Sequence, residues 1–573
     1  MKRALLVGAI AAALVVCAIG AQVQTSPLFD PANLRAVGAF VRGLFPPDLS
    51  PAFLPVVARA TLRTLGVAVA GTVLSMALGL PLGILGTASL WRRGPLLEGE
   101  RHSLGRAALA AASLVARGLS RFLRAVPELV WALFFVVGFG LGPLPGTLAL
   151  AVSYAGVLGR VYADLFEAVP PGPIVALHAS GATRLQAFAA GIWPQAAGSV
   201  AAYSLYSFEC CVRSAAVLGF VGAGGIGAEI NLSMRLFEYG QVTTLLAALV
   251  LLVLGADAFS RALRGRFQRN AVHGSGLLRD ALELRSARRG LGLVWLALLL
   301  FAFQQAGFVG IAAAGLWPHL GRFAAQLFPP DLSPAFLATL VTPLWQTVAI
   351  SVVGTAIGIA LGSVLALPAT STLLVADPDR RRGLPARALR VAIHGAARAS
   401  LAVLRSIPEL VWVLLCILAV GLGPFAGALA LGLHTAGVLG KLYAETLEEV
   451  PPAPVEELRA IGAGALQRLL WGMWPQARET LASYTLLRWE TNLRVSTVVG
   501  LVGGGGLGLA LYNDVQLAFY DRAATLVLLI YLLVAATDAL ADRLRRRPTA
   551  RGIALAPESA LALIAESGSA AAP

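Results

Sequence analysis

Leu44 to Leu54 reads LFPPDLSPAFL, and Leu327 to Leu337 reads LFPPDLSPAFL again. The chain therefore holds two copies of one unit. Farther along, VPELVW from Val126 is answered by IPELVW from Ile407, AGVLGRVYAD from Ala155 by AGVLGKLYAE from Ala436, and WPQA from Trp193 by WPQA from Trp474, all at an offset of 281 residues. A period this long is too large for a solenoid of short repeats and marks duplication of a whole unit.

The composition says what kind of unit was duplicated. Of 573 residues 57% are hydrophobic and only 13% are charged, with a mean hydropathy of +0.77. That is more apolar surface than a soluble domain can cover. Apolar runs of roughly 17 to 25 residues recur along the chain, each long enough to cross a bilayer's hydrocarbon. They predict an all-α integral membrane protein of about twelve transmembrane helices in two parallel six-helix repeats. In the first copy the spans are expected near 4–21, 60–89, 126–142, 145–166, 197–220 and 242–263. The repeats are expected at 1–270 (core 60–263) and 291–547 (core 343–541), joined by a basic linker at 271–290. The Ala-, Ser- and Pro-rich tail at 548–573 has the composition of a disordered segment.

A net charge of +15 is compatible in principle with nucleic-acid binding. The arginines instead bunch at 91–124, 261–289, 380–405 and 543–551, just outside apolar runs, which is how positive-inside topology is written. The predicted location is the cell (inner) membrane, multi-pass, with both termini and these basic segments cytoplasmic; no nucleic acid is expected as a partner. The basic start and apolar core of the first 21 residues resemble a secretory signal. A similar run at Leu291 to Leu316 stands at the matching place of the second copy, so the first helix is expected to be retained. Cys17, Cys210, Cys211 and Cys416 all lie in apolar runs without ligand spacing, so neither a metal site nor a disulfide framework is indicated.

Between the fourth and fifth spans lies a stretch too polar to cross and too apolar to be a free loop. In the second copy it reads VPPAPVEELRAIGAGALQRLLWGMWPQA, from Val450 to Ala477. Pro454 followed by Glu456 and Glu457 suits a helix start. Val455, Leu458 and Ile461 give that helix one apolar side, and Gly462 and Gly464 end it. Periodicity alone is equally satisfied by a helix resting on lipid headgroups.

Glu456, Gly462 and Pro475 together resemble the EAA loop of ATP-binding-cassette (ABC) importer permeases, whose coupling helix docks into a groove on the ATPase. The first copy keeps Gly181 and Pro194 but has Val175 in place of the glutamate. The strings FPPDLSP, R-[AS]-[VI]-P-E-L-V-W, GLGP, AGVLG-[RK]-x-YA-[DE] and VLGFVGAGGIG, in order, resemble the phosphonate importer permease family (PhnE), with two permease copies fused in one chain. The resemblance covers nearly everything from Leu44 to Arg266 and from Leu327 to about Arg545. It implies a MetI-like ABC type I importer permease, two copies of a separate cytoplasmic ABC ATPase, and a periplasmic or extracellular phosphonate-type substrate-binding protein. ATP would be hydrolysed by the partner subunit, with no cofactor bound by this chain. The substrate implied is phosphonate or a related oxoanion such as phosphate or phosphite. An alternative of similar architecture is a secondary transporter of an anionic solute.

The fifth spans carry Glu209 and Arg213 in one copy and Glu490 and Arg494 in the other. A glutamate four residues before an arginine lies on the same helix face, so each pair is able to neutralise itself. A lone charge at mid-membrane costs on the order of 3 kcal/mol and usually faces a cavity or a partner. The competing reading gives the arginines to the substrate pathway, because a guanidinium fork holds two oxygens of an oxoanion. Glu128 and Glu409, just after a proline, are expected as helix-start carboxylates.

GAGGIG at Gly222, Gly224 and Gly227 and GGGGLG at Gly503, Gly505 and Gly508 fit the dinucleotide template G-x-G-x-x-G. Each follows an apolar helix instead of a strand, so a nicotinamide dehydrogenase is disfavoured. They are expected as external glycine loops that turn sharply beside the pore mouth. No P-loop, zinc-protease or nucleophile-elbow motif is present, so no catalytic residue is expected.

Overall fold

The computed structural model describes residues 2–23, 42–92, 104–272, 299–308, 325–374 and 384–545, with single positions between 31 and 39 and between 296 and 323. Among the described residues every regular element is helical. The chain opens with α1 (Lys2–Gly20). The first repeat continues with α2 (Leu54–Gly86), α3 (Leu104–Ala125), α4 (Glu128–Phe139), α5 (Pro143–Glu167), α6 (Pro171–Ala179), α7 (Trp193–Leu218), α8 (Ile226–Arg235) and α9 (Tyr239–Val272). The second repeat supplies α10 (Val341–Ala369), α11 (Leu384–Ser406), α12 (Glu409–Val420), α13 (Pro424–Glu448), α14 (Pro452–Ala460), α15 (Trp474–Val499), α16 (Gly506–Gln516) and α17 (Tyr520–Arg545).

Seven of the described helical stretches are long and apolar enough to cross a membrane, and up to ten spans result if each of three bent pairs counts as one. The linker expected at 271–290 lies outside the described residues beyond Val272, as does the tail at 548–573. So does most of the run at 291–316.

The crossing expected at 126–142 differs from the prediction. The basic segment before it is not a loop but the helix α3, whose arginines 106, 117, 121 and 124 share the chain with many alanines and leucines. At Pro127 the chain bends by 88° into α4, and at Pro408 by 98° into α12. Proline lacks an N–H and pushes the residue before it out of the helical region, so one helix stops and another starts. At 12 residues α4 is about 18 Å long, short of the ~30 Å hydrocarbon core.

Small residues let the long helices meet. A Cβ on Gly79 or Gly83 of α2 would come within 2.8 and 2.7 Å of the Cβ atoms of Leu158 and Tyr162 on α5. A Cβ on Gly362 of α10 would lie 3.1 Å from the carbonyl of Ala436 on α13. In lipid, where no hydrophobic force pulls helices together, such close backbone approach supplies the packing energy.

Two compact units emerge. One gathers Met1–Arg42 with Leu327–Ala554; the other is built from Gly43–Gln326. These units group the chain by packing, whereas the repeats at 1–270 and 291–547 group it by sequence. Cys17 and Ala21, at the end of α1, are buried with Ala349, Ile350 and Val353 of α10 and with Ala428 and Leu431 of α13. Conversely Gly66 of α2 packs on Ala302 and Gln305, and Phe134 on Phe323, with ring centroids 5.9 Å apart. Each repeat's leading segment packs with the body of the other.

Candidate functional site

The stretch after α5 folds as its residues predict. Prolines at 171 and 452 open the nine-residue helices α6 and α14, two residues before the start expected at Pro454 in the second copy. Gly181 (φ +88°) and Gly462 (φ +83°) end them in the left-handed region that a β-carbon disfavours. The Gly181 N–H donates to His178 O and the Ala182 N–H to Leu177 O; Gly462 and Ala463 repeat this with Arg459 O and Leu458 O. Open space surrounds both glycines. Glu456 is exposed on α14, and its counterpart Val175 is exposed on α6. Around them Leu185, Ile461, Leu466 and Trp471 present apolar surface, with Trp471 74% exposed.

Beyond this turn each repeat carries a π-helical segment, Phe188–Ile192 and Arg468–Met473, which runs into α7 or α15 at the Trp-Pro pair. Pro194 and Pro475 have no N–H to return to the preceding turn, so their positions are satisfied by neighbours. Gln195 Nε2 donates to Gly191 O at 2.7 Å and Gln476 Nε2 to Gly472 O at 2.6 Å. Wide turns of this kind recur at functional sites in helices.

The glycine strings form tight buried hairpins rather than open loops. Gly222, Gly224 and Gly225 have positive φ, as do Gly503, Gly505 and Gly506. The turn lets α8 fold back on α7 so closely that a Cβ on Gly227 would stand 1.9 Å from Ala216 O, and one on Gly508 1.9 Å from Thr497 O. Thr64 Oγ1 of α2 accepts the Ile226 N–H at 2.9 Å, and Thr347 Oγ1 of α10 accepts the Leu507 N–H at 2.9 Å. The sharp turn and close approach are present, and a threonine of a neighbouring helix bonds each turn.

The charged residues of α7 and α15 also meet charges on neighbouring helices. Glu209 is buried and Arg213 exposed, with Glu209 and Asp257 of α9 both in electrostatic range of Arg213. Glu490 is half-buried on α15. Arg494 has an interhelical partner, its Nη2 lying 3.6 Å from Asp538 Oδ1 on α17.

Glu128 and Glu409 turn out to be hubs joining three helices, a role beyond the expected helix-start carboxylate. Glu128 accepts from Ser214 Oγ at 2.9 Å, and Ser214 is 3.1 Å from Tyr154 Oη. Glu409 instead lies 3.4 Å from His434 Nδ1 and 3.7 Å from Arg488 Nη2. Arg488 Nε reaches Thr435 Oγ1 at 3.4 Å, and Asn492 Nδ2 donates to Thr355 and Thr435 at 2.8 and 3.0 Å. This network, missed in the sequence, stands in the second repeat alone: its counterparts are Ser207, Tyr154, Cys211 and Thr72. Comparing the two copies residue by residue would have exposed it, since Arg488 faces Ser207 in that comparison.

Among the described residues no group of His, Cys, Asp and Glu is arranged to hold a metal. Bent helices, short helices capped by exposed glycines, and charges within apolar spans define a membrane permease of the binding-protein-dependent class. The family described as "Binding-protein-dependent transport system inner membrane component" matches residues 104–271 and 384–549. The chain belongs to that family and carries its domain twice, in an integral, multi-pass membrane protein. It is 34% identical over 511 residues to "Phosphate-import permease protein PhnE" of Mycolicibacterium smegmatis, covering 89% of this chain and 88% of that relative. It is 35% identical over 272 residues to "Phosphite transport system permease protein PtxC" of Stutzerimonas stutzeri, covering 45% of this chain and 92% of the relative. A solved structure of the MetNI methionine ABC transporter in inward-facing conformations is matched over 37% of this chain and 99% of that one, at 24% identity and a TM-score of 0.30.

Proposed function

We propose that the chain supplies both permease domains of an ABC importer that brings phosphonate, phosphate or phosphite through the cytoplasmic membrane. The observation that carries the oxoanion is an arginine at the same position of a spanning helix in each repeat, Arg213 and Arg494. A charge held at such depth costs on the order of 3 kcal/mol on insertion scales, and a guanidinium is the side chain that grips two oxygens of a tetrahedral anion. The names of the phosphate and phosphite permeases among its relatives support the same substrate class.

In this reading two copies of a separate ATPase sit on the cytoplasmic side, where both termini also lie, and a binding protein delivers substrate from outside. The helices α6 and α14 dock on the ATPase. Leu185, Ile461, Leu466 and Trp471, which follow these helices, supply exposed apolar contact area, and Gly181 and Gly462 fix the turn that presents it. ATP closes the ATPase pair, the docked helices shift, and the bundle passes between outward- and inward-open forms. ATP is consumed by the partner, and this chain contributes the path and its gates.

The test is uptake of radiolabelled methylphosphonate, phosphate and phosphite into proteoliposomes containing the chain with its ATPase and binding protein. ATP-dependent uptake of at least one of the three is expected, with Arg213→Gln and Arg494→Gln each lowering it while the ATPase still co-purifies. Uptake that collapses with an ionophore and needs no ATPase would reject the reading.

A further inference from the structure

One constellation occurs identically in both repeats and was not anticipated. Glu167 and Glu448 are the last residues of α5 and α13, a few residues before α6 and α14. In the second repeat Arg398 of α11 donates from Nη2 to both oxygens of Glu448, at 2.8 and 2.7 Å. The same guanidinium donates from Nε to Ala369 O at 2.9 Å, and Glu448 Oε1 accepts the Ser371 N–H at 2.6 Å. In the first repeat Arg117 of α3 bonds to Glu167 and to Gly86 O, and Glu167 Oε1 accepts the Ala88 N–H at 2.6 Å.

The chemistry explains the arrangement. Each long helix, α2 or α10, breaks at a threonine, Thr87 or Thr370, before a short four-residue helix. The break strands a carbonyl at the end of one helix and an N–H at the start of the next, groups that need outside partners. The arginine takes the carbonyl, the glutamate takes the N–H, and the two side chains bond to each other. Charge-assisted bonds of this type are short and directional, so three segments are tied at one point. The pairs are partly buried, with side-chain exposures of 33% and 23% for Arg398 and Glu448, so solvent screens them incompletely.

Position gives the tie its consequence. Glu167 and Glu448 end the helices that lead into α6 and α14, and Arg117 and Arg398 lie on the helices that bend at Pro127 and Pro408 into the Glu128 and Glu409 hubs. We infer that Glu167 with Arg117, and Glu448 with Arg398, are positioning residues that carry the displacement of each coupling helix to the bent helix pair and so to its hub. This rests on the reading of α6 and α14 as ATPase-docking helices. Without the tie the coupling helix still docks and ATP is still hydrolysed, but the bent pair no longer follows.

The experiment uses the full chain with its ATPase and binding protein in proteoliposomes and measures ATP hydrolysis and phosphate uptake together. Glu167→Gln and Glu448→Gln keep the shape and an oxygen acceptor for the backbone N–H while removing the charge. The ratio of phosphate taken up to ATP hydrolysed is expected to fall about 3- to 10-fold in the double variant. ATPase co-purification and the thermal midpoint should stay at the parent values. Arg398→Gln added to Glu448→Gln should cost little more than either alone, because the two act as one tie. An unchanged ratio in the double variant overturns the inference, as does a ratio that falls only in step with lost ATPase binding. If the parent itself shows no ATP-dependent uptake of phosphate, phosphite or methylphosphonate, the transport reading fails instead, which separates the two outcomes.

Discussion

The two repeats share a backbone plan and differ in how they hold the same half-buried glutamate. In the first, Glu128 meets a serine backed by a tyrosine; in the second, Glu409 meets a histidine and an arginine. The Ser214 hydroxyl gives way at little cost when helices part. A guanidinium and a carboxylate that separate in low dielectric each lose a partner that is hard to replace, since Arg488 is only 13% exposed and its Nη2 forms no hydrogen bond among the described residues. The difference teaches that duplication preserved the turns and the helix contacts while the interior polar groups drifted apart, leaving one half with an ion-paired latch and the other with a hydroxyl-bonded one.

The largest expected effect tests what the halves have in common. Gly227→Val and Gly508→Val each drive a side chain into a carbonyl oxygen 1.9 Å from the new Cβ, and should destabilise by about 3 kcal/mol or more. Equal loss of assembled protein by size-exclusion yield is expected; loss in one variant alone would break the symmetry of the hairpins. Next comes the latch itself. Arg488→Met leaves Glu409 short of a cation and should cost about 3 kcal/mol, whereas Glu128→Gln should cost about 1 kcal/mol. Thermal unfolding in lipid nanodiscs measures both, and similar costs would remove the distinction between ion-paired and hydroxyl-bonded hubs.

Smaller effects sharpen the comparison at the surfaces. Gly181→Val and Gly462→Val strain a left-handed turn by about 1 to 2 kcal/mol without meeting a neighbour, so the protein should assemble but couple poorly. Uptake per ATP should fall more for Gly462→Val, because Glu456 stands where the first repeat has Val175; equal effects would remove that asymmetry. The smallest effect concerns Asp48 and Asp331, in the repeated FPPDLSP segment. Backbone and side-chain bonds from Ser50 and Ser333 hold both carboxyls below the ordinary value, with Arg522 adding to the effect on Asp331. A depressed folded value means the contribution is present at neutral pH and is lost as the pH falls through and below the ordinary carboxylate value of about 3.9. Between about pH 6 and about pH 3, Asp331→Asn should flatten the acid-induced fall in thermal midpoint more than Asp48→Asn. An identical fall in both variants would show that Arg522 adds nothing.

Much of this molecule is legible in its letters, because the signals are local. Pro171 and Gly181 bracket α6 through their own dihedral preferences, and the spans expected at 60–89, 145–166 and 197–220 appear at Leu54–Gly86, Pro143–Glu167 and Trp193–Leu218. The bends at Pro127 and Pro408 went unread because an arginine-rich stretch reads as a loop, whereas α3 packs through small residues such as Ser113, Ala116 and Ser120. Arg117 and Glu167 are 50 residues apart, and nothing near either names the other.

The sequence by itself determined duplication, a membrane setting, the turns and the family, since each depends on composition, repetition or the conformational limits of proline and glycine. Tertiary structure alone decided that α1 packs with the second repeat, that Arg494 reaches Asp538, and that one glutamate hub contains an arginine. Those outcomes depend on which helix faces meet, and a contact between faces is a property of the packed chain, fixed only once distant segments compete for the same buried surface.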